Sequence, residues 1–387
     1  MSAKLHIILL TTALFIGTFA VNLQTPLYGA YAAKSGVGAT AVTLAFAAYV
    51  AGLMPTLLFL GGLSDRIGRR IPVAVALALG VLATALLVIY PNWVSLFFAR
   101  VLLGIGTGLI TTAGTAYMSE LMAGDASLRA PVIVTSATSL GFGSGALATS
   151  ISIKFQGETL LPVSFIIFFV IALTVILLMK TMPPTLRRRE VSLFRLPFYP
   201  VNTAVYGLAM AAAWATTGMI IAVIPLELAR LKLSEYSGLV VFLAIFVGFL
   251  CQPAAKKCSK ENALSAGMIM TALGFLVILS GAWTASVSLI LIGTGITSAS
   301  SYGFTYLSSL SAFSLMAGNE KARATAGLFV YAYIGFSLPV IASGALADKY
   351  GLEPAITIFS AFQIVTVVLI LLLIRKKNKM IYQKIRS

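Results

Sequence analysis

Residues Gly61 to Arg70 read GGLSDRIGRR, a single acid among three arginines, held between two long apolar stretches. Gly61 and Gly68 allow the backbone a tight turn, so the segment suits a protein that keeps two helices close yet lets them move. A second cation, Arg100, stands inside an apolar run, about 7 Å from the middle of its predicted span at about 1.5 Å per residue. A charge there costs at least about 2.5–3.5 kcal/mol, so it must face water, a partner or a ligand. The other reading is that its stem snorkels to the interface marked by Trp93. Neither group belongs to a reaction centre. The chain has no phosphate loop, no metal-ligand cluster and no nucleophile–base set, so an enzyme or an ATP-driven pump is not expected. No cofactor is expected either.

The elements that must position these charges are membrane spans. The chain has 387 residues, is 59% hydrophobic and only 10% charged, with mean hydropathy +1.00. A soluble domain carries about a quarter charged residues. Apolar runs here repeatedly exceed the roughly 20 residues that cross a bilayer core. They are continuous rather than alternating, which excludes an outer-membrane barrel. Twelve spans are predicted, over 5–27, 39–61, 71–90, 93–117, 131–153, 160–179, 201–226, 236–254, 263–281, 284–309, 323–345 and 354–374. The first is read as retained rather than as a cleaved signal. Cys251 and Cys258 stand outside any metal or redox spacing, as a packing residue and a loop thiol.

Charge orients the spans. With both termini in the cytoplasm, 21 of the 27 Lys and Arg residues fall in inner segments and five in outer loops, leaving Arg100 inside span 4. That asymmetry fixes the orientation by the positive-inside rule, and the expected location is the cytoplasmic (inner) membrane, as a multi-pass protein. It also accounts for the net charge of +16 with no nucleic-acid partner. The longest polar interruption, 181–200, falls at the midpoint and divides a six-helix half over 1–180 from another over 201–374, followed by a basic tail over 375–387. An internal repeat agrees: LMAGDASLRA at 121–130 matches LMAGNEKARA at 315–324, an offset of 194 residues. LLGIGTGLITTAGTAYMSEL at 102–121 resembles LIGTGITSASSYGFTYLSSL at 291–310, pairing spans 4 and 10. Parallel halves of this kind build a central site at mid-membrane.

Several motifs resemble the major facilitator superfamily. Gly61, Leu63, Asp65, Arg66, Gly68, Arg69 and Arg70 fit its loop signature between helices 2 and 3. FFARVLLGIGTG at 97–108 resembles its helix 4 signature. SLGFGSGALA at 139–148 resembles the helix 5 glycine signature of exporters, with Ser144 where the family has proline. The second copy of the loop, AKKCSKEN at 255–262, keeps positive charge and loses Gly and Asp. The resemblance implies an all-α polytopic membrane protein of the major facilitator fold, with two pseudo-symmetric six-helix bundles and 12 transmembrane helices. The implied branch is drug:proton antiport or metabolite efflux. It further implies that Asp65 sits at the N-terminus of helix 11, near Ala322 to Ala326, where the dipole favours an anion. There Asp65 would pair with Arg69 and with Glu120, as a cytoplasmic gate made of Gly61, Asp65, Arg66, Gly68, Arg69 and Glu120.

The same family lines its path with helices 1, 4, 7 and 10, whose polar residues include Asn22, Gln24, Thr25 and Tyr28; Thr107, Thr111 and Thr115; Trp214, Thr216 and Thr217; and Ser300, Ser301, Tyr302 and Tyr306. For the small hydroxyls, helix packing is the competing reading. Together with Arg100, the expected cargo contacts are Asn22, Gln24, Tyr28, Thr111, Trp214, Tyr302 and Tyr306. All eleven acids fall in loops or at predicted span ends, so proton coupling is expected at Asp65, Arg100, Glu120 or Glu227. A cationic cavity favours anionic, zwitterionic or neutral cargo. The expectation is a monomeric secondary transporter exporting a small molecule in exchange for protons, in contact only with cargo, proton and bilayer. An uncoupled facilitator, a lipid or glycolipid flippase and a non-transporting receptor are the alternatives.

Overall fold

A computed structural model describes residues 3–122, 129–184, 192–194 and 196–386, with side chains through 376. Each of the twelve expected spans is a helix. The first six are α1 (Ala3–Ser35), α2 (Ala39–Phe59), α3 (Arg70–Ile89), α4 (Trp93–Leu121), α5 (Ala130–Gln156) and α6 (Val163–Thr181). The second six are α7 (Ala204–Arg230), α8 (Ser234–Lys256), α9 (Lys260–Trp283), α10 (Val287–Met316), α11 (Lys321–Tyr350) and α12 (Leu352–Lys376). No strand occurs among the described residues. In hydrocarbon every backbone N–H and C=O must be paired within its own segment, and a helix does this for a single span. Polar caps set some of the starts. Asn92 accepts from Ser95 N at 2.9 Å ahead of α4, and Ser259 from Asn262 N at 3.3 Å ahead of α9. Side chains such as Phe98, Phe155, Ile166 and Val170 stay exposed on the outside, as lipid-facing surfaces do.

Three spans are interrupted within their length, apart from the 3-10 turns that end α6 and begin α8. In α1 the helix runs to Asn22, gives way to a 3-10 turn over Thr25–Leu27, and resumes at Tyr28. The cause is Pro26, which has no N–H to offer the preceding turn and whose ring crowds it. Span α7 repeats the design, ending one helix at Ala222 and starting another at Ile224, one residue before Pro225. In α10 a π-helical segment, Ala299–Phe304, separates two α-helical stretches.

The chain clusters into two compact units. One comprises residues 1–196 with 228–242, the other 197–227 with 243–387. The boundary after 196 falls within the polar interruption read from the sequence. In the first unit α1 packs on α5 and α4, while α2 and α3 flank α4. In the second, α7 packs on α11, α9 on α10, and α12 on α9, α11 and α7. Asp125, Arg187 to Glu190 and Arg195, which the sequence reading used, lie outside the described residues.

Candidate functional site

The signature loop becomes a one-turn helix, Leu63–Ile67, followed by Gly68 at φ 97°, a left-handed geometry that favours glycine. That turn aims Arg69 back across the loop. Its Nη2 donates to Asp65 Oδ1 at 2.5 Å, its Nε to Glu120 Oε1 at 2.9 Å and its Nη1 to Ser64 Oγ at 2.7 Å. The hub is therefore Arg69, not Asp65: two carboxylates that would repel each other share one cation, and all three groups are largely shielded from solvent. Gly61 is buried and Arg66 is exposed. Nearby, Arg70 Nη1 donates to the carbonyls of Lys180 at 3.1 Å and Met182 at 3.4 Å, and the Tyr117 hydroxyl donates to the Pro183 carbonyl.

Arg100 lies at the other end of α4, two turns in from Trp93. Because α4 continues to Leu121, past the predicted limit, Arg100 is about 10 Å from its middle at about 1.5 Å per residue. Its side chain does not snorkel. It is only 1% exposed and points across the first unit at α1 and α2. Nη1 donates to the Val21 carbonyl at 2.7 Å and Nη2 to the Phe46 carbonyl at 3.4 Å. The guanidinium carbon stands 5.2 Å from the centre of the Phe46 ring and 4.8 Å from that of Tyr49, distances at which a cation is attracted to a ring.

Val21 lies in the last turn before the break in α1, where helix carbonyls run out of N–H partners. Gln24 Nε2 also donates to the Val21 oxygen, at 2.9 Å. Arg100 thus caps the first helical stretch of α1, supplying donors and a positive charge where the helix dipole ends negative. One residue along, Asn22 Nδ2 donates to the Phe142 carbonyl of α5 at 2.8 Å. Gly141 and Gly145 let α5 lie directly on α1, since a Cβ at either position would overlap the carbonyl oxygens of Phe15 and Phe19. Gly143, between them, faces Phe242 of α8 instead, so the glycine run serves two neighbouring helices.

Of the remaining predicted residues on α1 and α4, Tyr28 is fully buried and its hydroxyl has no partner within the protein. Thr111 is half-buried, and its hydroxyl donates to the Thr107 carbonyl at 2.7 Å. Thr107, Thr115, Thr216 and Thr217 do likewise to carbonyls four residues earlier. This back-bonding occupies the hydroxyl proton inside each helix.

The second unit gathers its polar and aromatic residues around Trp214. Its Nε1 donates to the Ser301 carbonyl at 3.2 Å. The rings of Tyr302, Phe329, Tyr333 and Phe336 stand at 5.6, 6.1, 5.2 and 6.0 Å from it, most of them edge-on. The π-helical segment is stitched from several sides. Gln252 Nε2 donates to the Tyr302 carbonyl at 3.1 Å, Ser301 Oγ to the Ala213 carbonyl at 2.8 Å, and Ser300 Oγ meets Thr271 and Thr305 hydroxyls at 2.8 and 2.9 Å. Such partners stabilise a register that α-helical bonding alone does not hold. Tyr306 is half-buried. Among the described acids Glu227 is the one with no exposed surface. It sits inside α7, one turn before its end, because the helix after Pro225 carries the span beyond its predicted limit.

The sequence profile described as Major Facilitator Superfamily matches residues 10–338, most of the chain. The chain belongs to this superfamily. Among solved structures, this superfamily member is similar to the nucleoside transporter NupG, with 13% identity, coverage of 95% of this chain and 99% of that one, and a TM-score of 0.76. It is also similar to a bacterial homolog of the human lysosomal transporter Spinster, with 13% identity, coverage of 97% and 98%, and a TM-score of 0.77. At that identity the likeness establishes the shared fold. No curated protein matches the chain in sequence. A major facilitator chain with twelve spanning helices is a multi-pass membrane transporter, not an enzyme.

Four residues of this superfamily member escaped the sequence reading. Phe46 and Tyr49 look like any apolar face, and nothing in their identity announces a cation above them. Gln252 and Gln363 carry a signal: each is an amide inside a predicted span, where an unpaired polar group is costly. Gln363 Nε2 donates to the Ala212 carbonyl at 2.9 Å, joining α12 to α7.

Proposed function

We propose that the protein is a secondary active transporter that exports a small molecule by alternating access in exchange for protons. Cargo contacts come from α1 and α4 in the first unit and from α7 and α10 in the second. The observation that carries this reading is the break in α1, capped by Arg100 inside the membrane. Interrupted spans are where transporters of this kind expose backbone and polar groups to cargo. Support for export comes from the glycine run on α5, which resembles that of exporters. The Asp65–Arg69–Glu120 cluster, held between α4 and the loop ahead of α3, serves as a cytoplasmic latch. Glu227, the fully buried acid, is the proton-coupling group.

The test is flux in proteoliposomes with and without an imposed pH gradient, across anionic, zwitterionic and neutral cargo. Accumulation that follows the gradient is expected, together with proton release when cargo binds the detergent-solubilised protein. Equal flux with the gradient collapsed would replace exchange by facilitated diffusion. One observation favours that second reading: of the described acids, none but Glu227 is buried, and it lies near a span end rather than at mid-span.

A further inference from the structure

The chain that leaves α6 does more than join the halves. The span ends at Thr181, and Pro183 and Pro184 have no N–H with which to continue it. The carbonyls of this stretch are left to other donors, and the inner ends of α3 and α4 supply them. Arg70, the first residue of α3, donates to the carbonyls of Lys180 and Met182. Tyr117 of α4, only 1% exposed, donates its hydroxyl to the Pro183 carbonyl. Met182 is itself buried against the protein.

The linker meets the first unit again at 192–194. The Leu193 carbonyl accepts from Gly62 N at 3.4 Å, and the Phe194 ring stands edge-on to Phe59, the last residue of α2, at 5.9 Å. A Cβ on Gly62 would overlap the Ser192 carbonyl oxygen. The φ of Gly62, −95°, suits any residue, so this glycine serves the contact with the linker rather than the turn. All of these residues belong to the first unit.

Each docking point neighbours one member of the Asp65–Arg69–Glu120 cluster. Gly62 opens the helical turn that carries Asp65, Arg70 follows Arg69 directly, and Tyr117 lies one turn before Glu120 on the same face of α4. The cluster needs such neighbours. Its side chains are between 12% and 26% exposed, and an ion pair open to water gains little once the ordering of long side chains is counted. Holding the segments that carry the charges lowers that ordering cost.

We propose that linker stretches 180–183 and 192–194 form a brace that fixes the inner ends of α2, α3 and α4, so that Arg69 holds both acids at once. Gly62, Arg70 and Tyr117 are positioning residues for the cluster, and release of the brace loosens it without altering any of its charges. The inference rests on the latch reading for its part in transport, but the brace is measured without cargo.

The experiment follows hydrogen–deuterium exchange of the full chain in lipid nanodiscs. Gly62→Ala pushes the linker off the loop. Phe194→Ala trims a largely exposed ring, so it keeps the test decisive should the first variant fold poorly. In both, the amides of 61–69 and of 117–121 should exchange about tenfold faster, and together, while those of α5 stay as in the wild type. Tyr117→Phe should quicken 61–69 in the same way. Asp65→Asn should loosen the same two regions, and adding Gly62→Ala should bring little further change, because both release one cluster. Wild-type exchange in Phe194→Ala, quickening confined to 61–69, or effects that multiply in the double variant would each overturn the brace. Asp65→Asn with wild-type exchange in both regions would overturn the latch reading and leave the docked linker standing.

Discussion

The two units solve the same problem, a broken span with polar groups in the membrane, by opposite chemistry. In the first, the break in α1 is governed by charge: Arg100 lies on the Val21 carbonyl and on two rings, and Arg69 gathers two acids at the far end of α4. In the second, the π-helical segment of α10 is held by neutral partners, Trp214, Gln252 and a set of serine and threonine hydroxyls. The loop copies diverge in the same sense. Where the first unit has Arg69 between acids, the second has a Ser259 cap and a Tyr206 hydroxyl donating to Glu261 at 3.3 Å. Descent from a repeated half does not require both halves to keep the same interactions. In one copy the break is met by charge, and in the other by neutral donors and rings.

The sharpest way to break this comparison is in the neutral unit. Trp214→Ala removes the centre of a five-ring cluster and should cost about 3–5 kcal/mol of stability, read as a fall in detergent melting temperature. A small fall would mean that the rings do not organise that unit. Next comes Arg100→Ala, which uncaps α1 and should cost about 2–3 kcal/mol and abolish transport while membrane insertion persists. Wild-type flux in this variant would remove the cation from the working parts. Asp65→Asn should leave cargo affinity intact and slow turnover about tenfold, about 1.4 kcal/mol on the barrier. Unchanged turnover in a flux assay would dissolve the latch. At the small end, Thr111→Val should change stability by no more than about 0.5 kcal/mol, because its hydroxyl bonds only to its own helix. A large loss of cargo affinity there would show that the back-bonded hydroxyl also touches cargo.

The spans were legible in the sequence because lipid imposes length and composition on every one of them, and all twelve fall where the apolar runs do. Arg100 was legible as an anomaly but its partners were not. They are two backbone carbonyls and two rings, and a carbonyl carries no residue-type signature. Pro26 was the available clue, since a proline frees carbonyls in the turn before it and something must meet them. The loop cluster was half-legible: Asp65, Arg69 and Glu120 could be named by resemblance, whereas Arg69 as the hub follows from the turn at Gly68. The π-helical segment left no trace in composition, because it depends on donors from α7, α8 and α9 that approach only in three dimensions.

The glycine contact between α5 and α1 has one further consequence. Where main chain touches main chain at Gly141 and Gly145, with the Asn22 amide fastened across, little side-chain volume remains between the two helices to swing aside. An acyl tail cannot be threaded through such a seam without prising the backbones apart. Any greasy molecule arriving from the bilayer must use a different doorway, so photo-crosslinking by a lipid analogue should spare the α1–α5 line while labelling other faces of the protein.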